Sequence, residues 1–217
     1  MTVNNPDELA KRITETLAQP IDFPPLSAAI IQDDRLALAI DEHAAAIPMV
    51  IPALLRSIAA MPVSAVDVVL SSATPPEDVE SIRQTVERHR GHYEHLAVCL
   101  DRHDGGDRTV LSYLIADQNA DPIYISKPLA DADVVLPVRT MDTHADSAGS
   151  SANDTDAGLF PAFVDHETST RSMDDPSLRP SPGVAWSLGV QLELVLVTGP
   201  DGDIETVRAQ SIAKVAA

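Results

Sequence analysis

The sequence predicts an α/β fold: a Rossmann-like, mainly parallel sheet with helices on both faces, closed by a C-terminal antiparallel hairpin. Three observations carry this. Short apolar runs alternate with stretches whose apolar residues recur at helical spacing, from residue 6 to residue 138. The runs are apolar on both alternating faces, as in parallel strands covered on each side and joined by right-handed crossovers. Near the C-terminus, LGVQLELVLV (Leu188–Val197) and IETVRA (Ile204–Ala209) flank Gly199-Pro200-Asp201-Gly202, a hairpin signal.

The elements follow in order. Pro6–Ala18 reads as a helix, with Leu9, Ile13 and Leu17 on one stripe and Asp7 and Glu8 near its positive N-terminal end. Pro20 and Pro24-Pro25 stop it, leaving an extended lead-in. After the Asp33-Asp34 turn, Arg35–Asp41 (RLALAID) is a buried strand. Ile47–Ala60 reads as a helix despite Pro48 and Pro52, Val66–Ser72 as a strand, and Pro76–Arg90 as a charged helix with Val79, Ile82 and Val86 inward. His95–Asp101 is strand-like, Asp107–Ile115 helical, Pro122–Ser126 a short strand and Ala132–Val138 another buried one. Residues 140–157 turn small and polar, a long mobile loop; order resumes over Pro161–Met173, and a Pro-rich link over 174–183 leads to the hairpin. The chain is expected to form one domain over 1–217.

Composition narrows the function. With 15 Lys+Arg against 33 Asp+Glu the net charge is −18, so the summed field repels phosphate backbones and excludes nucleic acid as a partner. No run of eighteen apolar residues exists, which excludes a membrane span. The polar N-terminus lacks the apolar core of a signal peptide, and a single cysteine allows no intramolecular disulfide framework; a cytoplasmic address is expected. Cys99, inside an apolar run, is expected as an inert core thiol. Aromatic residues at 3% leave Leu, Ile, Val and Ala to fill the core.

In sheets of this class, ligands gather beyond the carboxyl ends of the strands. Those ends are Asp41-Glu42-His43, Ser71-Ser72-Ala73-Thr74, Asp101-Arg102-His103-Asp104 and Arg139 to His144, all polar. Asp101, His103, Asp104 and Asp107 crowd one such loop around Gly105-Gly106. Two readings stay open there: a general base whose pKa neighbouring carboxylates raise, or a helix cap made by Asp104 or Asp107. His89, His92 and His95 form H-x-x-H-x-x-H, but the third position rotates away from the first two on a helix, so solvated histidines are the better reading. The glycines form neither G-x-G-x-x-G nor a P-loop, and Ser71-Ser72 lack a nucleophile elbow.

Taken in order, the motifs are PIDFPPL (Pro20–Leu26), LAID (Leu38–Asp41), LSSATP (Leu70–Pro75), RHDGGD (Arg102–Asp107), DPIYISKPLADADVVLPV (Asp121–Val138) and THADSAGSS (Thr143–Ser151). With the final GVQLELVLVTGP they resemble the N-terminal domain of the nickel-pincer-dependent lactate racemase family. The resemblance covers nearly the whole chain and is specific in its order rather than in any one motif. It implies an isomerase in which a nickel-pincer mononucleotide, held covalently by a loop lysine, exchanges a hydride with a small 2-hydroxy acid. Two histidines act as acid and base and an arginine grips the substrate or cofactor. It also implies a second domain closing over the site, which this chain does not contain; the end just after a hairpin suits a truncated domain.

Carried over by position, His144 matches the second catalytic histidine, Asp41 the acid of the first motif and Ser150 the serine of the Ser-Gly-Gly loop. His166 is the candidate for the nickel-binding histidine. The chain departs at three places: Ala44 stands for the arginine, Pro75 for the first catalytic histidine and Asp154 for the cofactor lysine. The expectation is therefore a racemase-like domain with diverged or lost chemistry. Its small-molecule pocket would be lined by Asp41, Thr74, His103, Asp104 and Ser150, with His144 as acid/base. A non-catalytic ligand- or partner-binding domain is the first alternative. A different metal-dependent enzyme using His103, Asp104 and His144 is the second.

Overall fold

The computed structural model describes residues 5–142, 156–175 and 183–212. Helices are α1 (Pro6–Ala18), α2 (Glu42–Ala46), α3 (Val50–Ile58), α4 (Pro76–Arg88), α5 (Lys127–Asp131), α6 (His166–Asp174) and α7 (Val184–Ser187). Strands are β1 (Asp34–Ile40), β2 (Val63–Leu70), β3 (Ala97–Arg102), β4 (Leu111–Ala116), β5 (Pro122–Ser126), β6 (Val134–Asp142), β7 (Leu192–Thr198) and β8 (Ile204–Ser211). The six-stranded sheet has the order β3-β2-β1-β6-β7-β8, parallel throughout except for the antiparallel β7–β8 pair. The fold class read from the sequence is the one observed.

Side-chain alternation divides the core. Leu36, Leu38 and Ile40 of β1, with Val66, Val68 and Leu70 of β2, face one layer built from α1, α3 and α4. Helix α1 is held there by Leu9, Ile13 and Leu17, the stripe read from the sequence, and each such fully buried aliphatic stabilises the fold by roughly 1.5–3 kcal/mol. The opposite residues, Ala37 and Ala39 of β1 and Val69 of β2, are smaller. They meet α5, α7, β5 and the segment around Phe160, Phe163 and Val164. Small residues on this face let irregular backbone approach the sheet closely, and this second layer builds the site.

Several expectations are corrected. Asp107–Ile115 is not a helix: a short 3-10 turn at Arg108–Val110, capped by Asp107, leads into β4. Leu111, Tyr113 and Ile115 alternate along a strand that pairs antiparallel with β5, so cross-strand partners outweigh local helical preference. β5 accordingly belongs to a separate two-stranded sheet and not to the main one. The helix expected over Ile47–Ala60 is shortened to α3, and a separate short helix, α2, lies wholly before it; Pro52 sits in the first turn of α3, where its missing N–H costs no helical bond. β6 runs on to Asp142, into the stretch expected as a loop; residues 143–155 of that loop and 176–182 of the link lie outside the described residues. Cys99 is exposed: β3 is an edge strand, and among the described residues neither apolar layer takes in Cys99. Among the described residues no helix is long and apolar enough to cross a membrane.

Candidate functional site

Three of the four strand ends singled out from the sequence line up, while the fourth stretch runs on as β6 to Asp142 and its residues 143 and 144 lie outside the described residues. Asp41 N–H donates to the Val138 carbonyl, Ser71 N–H to Ile40 and His103 N–H to Leu70, so the parallel ladder continues one residue past β1, β2 and β3. With β2 between them, the Asp41 and His103 backbones stand about 10 Å apart along one edge.

Asp41 is an architectural clamp. Its Oδ1 accepts from Ala44 N–H at 2.5 Å, capping α2, and its Oδ2 accepts from Thr140 N–H at 2.8 Å across to β6. Burial pushes its carboxyl up from the usual carboxylate value, against the lowering effect of those two backbone donors. Thr74 is buried, and its Oγ1 has no hydrogen-bond partner among the described residues. Its carbonyl, with that of Ser72, is held by the guanidinium of Arg102, which pins the β2–α4 loop to the end of β3.

His103 is the residue on which the site turns. It is 3% exposed, and its Nε2 lies 2.8 Å from the Val164 carbonyl. A carbonyl only accepts, so Nε2 carries the proton, and Nδ1 of the neutral ring is left as a bare acceptor. Burial lowers the His103 pKa, which keeps the ring neutral; the Val164 carbonyl and nearby Asp104 oppose that only in part. Nδ1 is buried with no partner among the described residues. A general base with a raised pKa, one of the two readings of this loop, is thus the wrong sign: desolvation outweighs the carboxylates. Asp107 follows the capping reading, accepting from the N–H and Oγ1 of Thr109 at the start of the 3-10 turn, whereas Asp104 caps no helix and closes a turn by accepting from Gly106 N–H at 2.9 Å.

The partner of His103 is placed by a segment that sequence reasoning left unassigned. Val164 bridges Ile125 of β5, Ser126 N–H donates to the Phe163 carbonyl, and Asp165 exchanges bonds with Tyr124 through its N–H and its Oδ2. On the other side His166 N–H donates to the Gly105 carbonyl at 2.9 Å. A Cβ on Gly105 would sit 2.9 Å from both His166 N and the Val164 carbonyl, so only glycine allows this approach. His166 itself is exposed at the start of α6.

These elements border a solvent-open cavity of about 400 Å³. His103 and Asp104 line it together with Asp101, Arg102 and Asp107; Arg35 and Val69 come from β1 and β2, and Ser126, Lys127 and Asp131 from the end of β5 and α5. Arg35 is tied to the buried Asp67 carboxylate through Nε and Nη2, which raises its own pKa. Of the expected pocket residues the structure brings His103 and Asp104 to this cavity; Asp41 and Thr74 sit on the same sheet edge but do not line it. His144 and Ser150 lie outside the described residues. Lys127, Asp131 and Arg35 were not singled out from the sequence. Their convergence depends on where β5 lands, which no local pattern in the sequence declares.

The resemblance also sets a test of donor chemistry. Ala44 is wholly buried in α2 and Pro75 is the residue preceding α4, so the two matched positions within the described residues present a methyl group and a pyrrolidine ring. Among the described residues no three His, Cys, Asp or Glu side chains gather so as to hold a metal ion. His89 and His92 stack at 6.3 Å, while His95 turns to the Ala59 carbonyl. His103 has spent Nε2 on Val164. These residues do not fit a nickel-pincer mononucleotide, and no step is derived through one.

No family model matches the chain, and no curated protein matches it. Among solved structures it is similar to the lactate racemase apoprotein from Thermoanaerobacterium thermosaccharolyticum, with a TM-score of 0.67 and 13% identity over 98% of this chain and 54% of that one. This chain thus spans about half the length of that structure. A protein proposed as an aspartate carbamoyltransferase from Leishmania major Friedlin aligns at a TM-score of 0.29 and 13% identity, over 63% of this chain and 34% of that one, and carries no argument. At such identity the first likeness is one of fold: the chain has a lactate-racemase-like α/β architecture.

Proposed function

We propose that the chain is a small-molecule-binding domain on a racemase-like fold, whose ligand seats in the cavity at the end of β3. The observation that carries this is a cavity of about 400 Å³ beyond the carboxyl ends of β2 and β3, lined by His103, Arg102, Asp104 and Lys127. Lost hydride chemistry is part of the reading. The positions that would carry the family's arginine, first histidine and lysine hold Ala44, Pro75 and Asp154, and without an acid–base partner a factor of about 10²–10⁴ in rate is forgone.

The test is a saturation-transfer NMR screen of polyols, sugars, amino alcohols and hydroxy acids against the protein and His103→Phe, with circular dichroism confirming that the variant is folded. At least one compound is expected to bind with a Kd below about 1 mM and to lose that binding in the variant. Failure of every compound, or equal binding to both proteins, would overturn the reading.

A further inference from the structure

Backbone hydrogen bonding covers three sheet edges and leaves a fourth open. The main sheet ends at β3 and β8. Beside β3, the Leu100 carbonyl is taken by Arg83 Nη2 at 3.2 Å and the Leu96 carbonyl by Arg90 Nη2 at 2.8 Å. The far side of β8 is bridged by Ile21, whose N–H donates to the Ala209 carbonyl and whose carbonyl accepts from Ser211 N–H. In the two-stranded sheet, β5 spends its outer side on the segment 163–165: Tyr124 bonds Asp165 through both its N–H and its carbonyl, and Ser126 N–H donates to the Phe163 carbonyl. Residues opposite one another in an antiparallel pair turn their backbone groups either both inward or both outward. Tyr113 lies opposite Tyr124 and Leu111 opposite Ser126, so both turn N–H and carbonyl to the far side of β4. No partner meets them there among the described residues.

Edge strands are ordinarily guarded by charge, proline or a covering segment. β3 carries Asp101 and Arg102 and β8 carries Glu205 and Arg208, whereas β4 reads LSYLIA, with neither charge nor proline. Tyr113 in that strand is 60% exposed, and Val110 just before it is 41% exposed. Trp186 of α7, which packs against β4, is 68% exposed. We infer that a second copy of this chain covers the edge with its own β4, antiparallel and about a two-fold axis, joining two β4–β5 pairs into one four-stranded sheet. Charge selects both the place and the occupant. Two copies of net charge −18 repel one another over most of their surfaces, and an uncharged strand is where they meet without opposing like charges. That strand offers a basic partner no carboxylate to pair with. To its own copy it offers the same unpaired N–H and carbonyl groups that the copy needs to satisfy.

Sedimentation velocity across the micromolar range tests this, with amide exchange followed by NMR at both ends of the range. An interface of this size is expected to give a reversible dimer with a Kd of about 1–100 μM. Screening relieves the like-charge repulsion, so the dimer should tighten several-fold between about 0.05 and 0.5 M salt. The Tyr113 amide should exchange fast in the monomer and slowly in the dimer. The Ser112 amide, which faces β5 opposite Ile125, should be protected in both. Tyr113→Lys sets like charges across the two-fold axis while leaving the β5 pairing in place. It should abolish the dimer, and Tyr113→Phe should keep it; if the lysine variant does not fold, the wild-type Tyr113 amide decides alone. A chain that stays monomeric, whether its Tyr113 amide is fast or protected at every concentration, would overturn the pairing. So would growth beyond a dimer, a dimer that survives Tyr113→Lys, or one whose Tyr113 amide stays fast.

Discussion

His103 and Val164, distant in the chain, meet through a 2.8 Å bond from Nε2 to a backbone carbonyl, and that bond fixes the tautomer of a ring lining a cavity at the strand ends. It has a consequence for stability. Burial lowers the His103 pKa, so below the ordinary imidazole value of about 6.5 the unfolded chain takes up a proton that the native ring refuses. The contribution is fully present above that value and is lost as pH falls toward the native pKa. His103→Gln keeps a donor for Val164 without the titration. The unfolding free energy of the wild type, followed by urea melts, should fall below that of this variant's own trend by up to about 1.4 kcal/mol per pH unit beneath pH 6.5. Parallel curves would contradict the buried neutral ring.

Gly105→Ala tests the close approach that delivers Val164. The new methyl would meet two backbone atoms at 2.9 Å, and backbone cannot swing aside as a long side chain can. A loss of about 1–3 kcal/mol is expected, together with weakening of the His166–Gly105 hydrogen bond visible as faster amide exchange at His166. Unchanged stability would show that the loop yields.

How much of this was legible in the sequence depends on the range of the interaction. Helix α1, strands β1 and β2 and the β7–β8 hairpin could be read directly, since Leu9, Ile13 and Leu17, or Leu192, Leu194 and Leu196, declare a periodicity that local packing enforces. β4 could not: Leu111 to Ala116 is short and apolar enough to suit a helix, and only its pairing with β5 decides the matter. Cys99 was misplaced for a related reason, because an apolar run does not say whether its strand is central or at an edge. At the site, the strand-end rule found His103 and Asp104. It missed Lys127, Asp131 and Arg35, and it could not supply Val164, whose role is set by a backbone carbonyl and not by its side chain.

Asp41→Ala should separate architecture from binding. The substitution removes the cap of α2 and the clamp onto Thr140, at a cost of about 1–2 kcal/mol by thermal or urea unfolding at neutral pH. Because burial raises the Asp41 carboxyl, its native form gains relative stability below the ordinary carboxylate value of about 3.9 and loses it as pH rises through the native value. Ligand affinity of the cavity should be unchanged; a loss of affinity larger than the loss of stability would give Asp41 a place in binding.

Arg139 and Glu193 form a buried ion pair between β6 and β7, with contacts of 2.7 and 3.1 Å and a further donor, Gln210 Nε2, at 2.7 Å from Glu193 Oε1. Arg139→Met leaves a buried carboxylate with one neutral donor in place of its cation, and should cost about 3–5 kcal/mol. Arg139→Met/Glu193→Leu should recover most of that, since removing both charges removes the desolvation penalty. A double variant no more stable than the single one would contradict this partition.

Cys99 is exposed but a poor nucleophile. Partial desolvation, then the hydrogen bond from its Sγ to Asp101 Oδ2 at 3.2 Å, push the thiol up to about 11. At pH 7.5 its alkylation by iodoacetamide should run at least about tenfold slower than that of a free thiol, and Asp101→Asn should speed it. A free-thiol rate would remove the claim.

The proton on His103 is the most direct thing to measure. In a nitrogen-15 histidine-labelled sample at pH 7, two-dimensional NMR is expected to show Nε2 protonated and Nδ1 at the position of a bare imidazole nitrogen, the tautomer that the Val164 carbonyl dictates. An imidazolium, or a ring carrying its proton on Nδ1, would contradict the site as described.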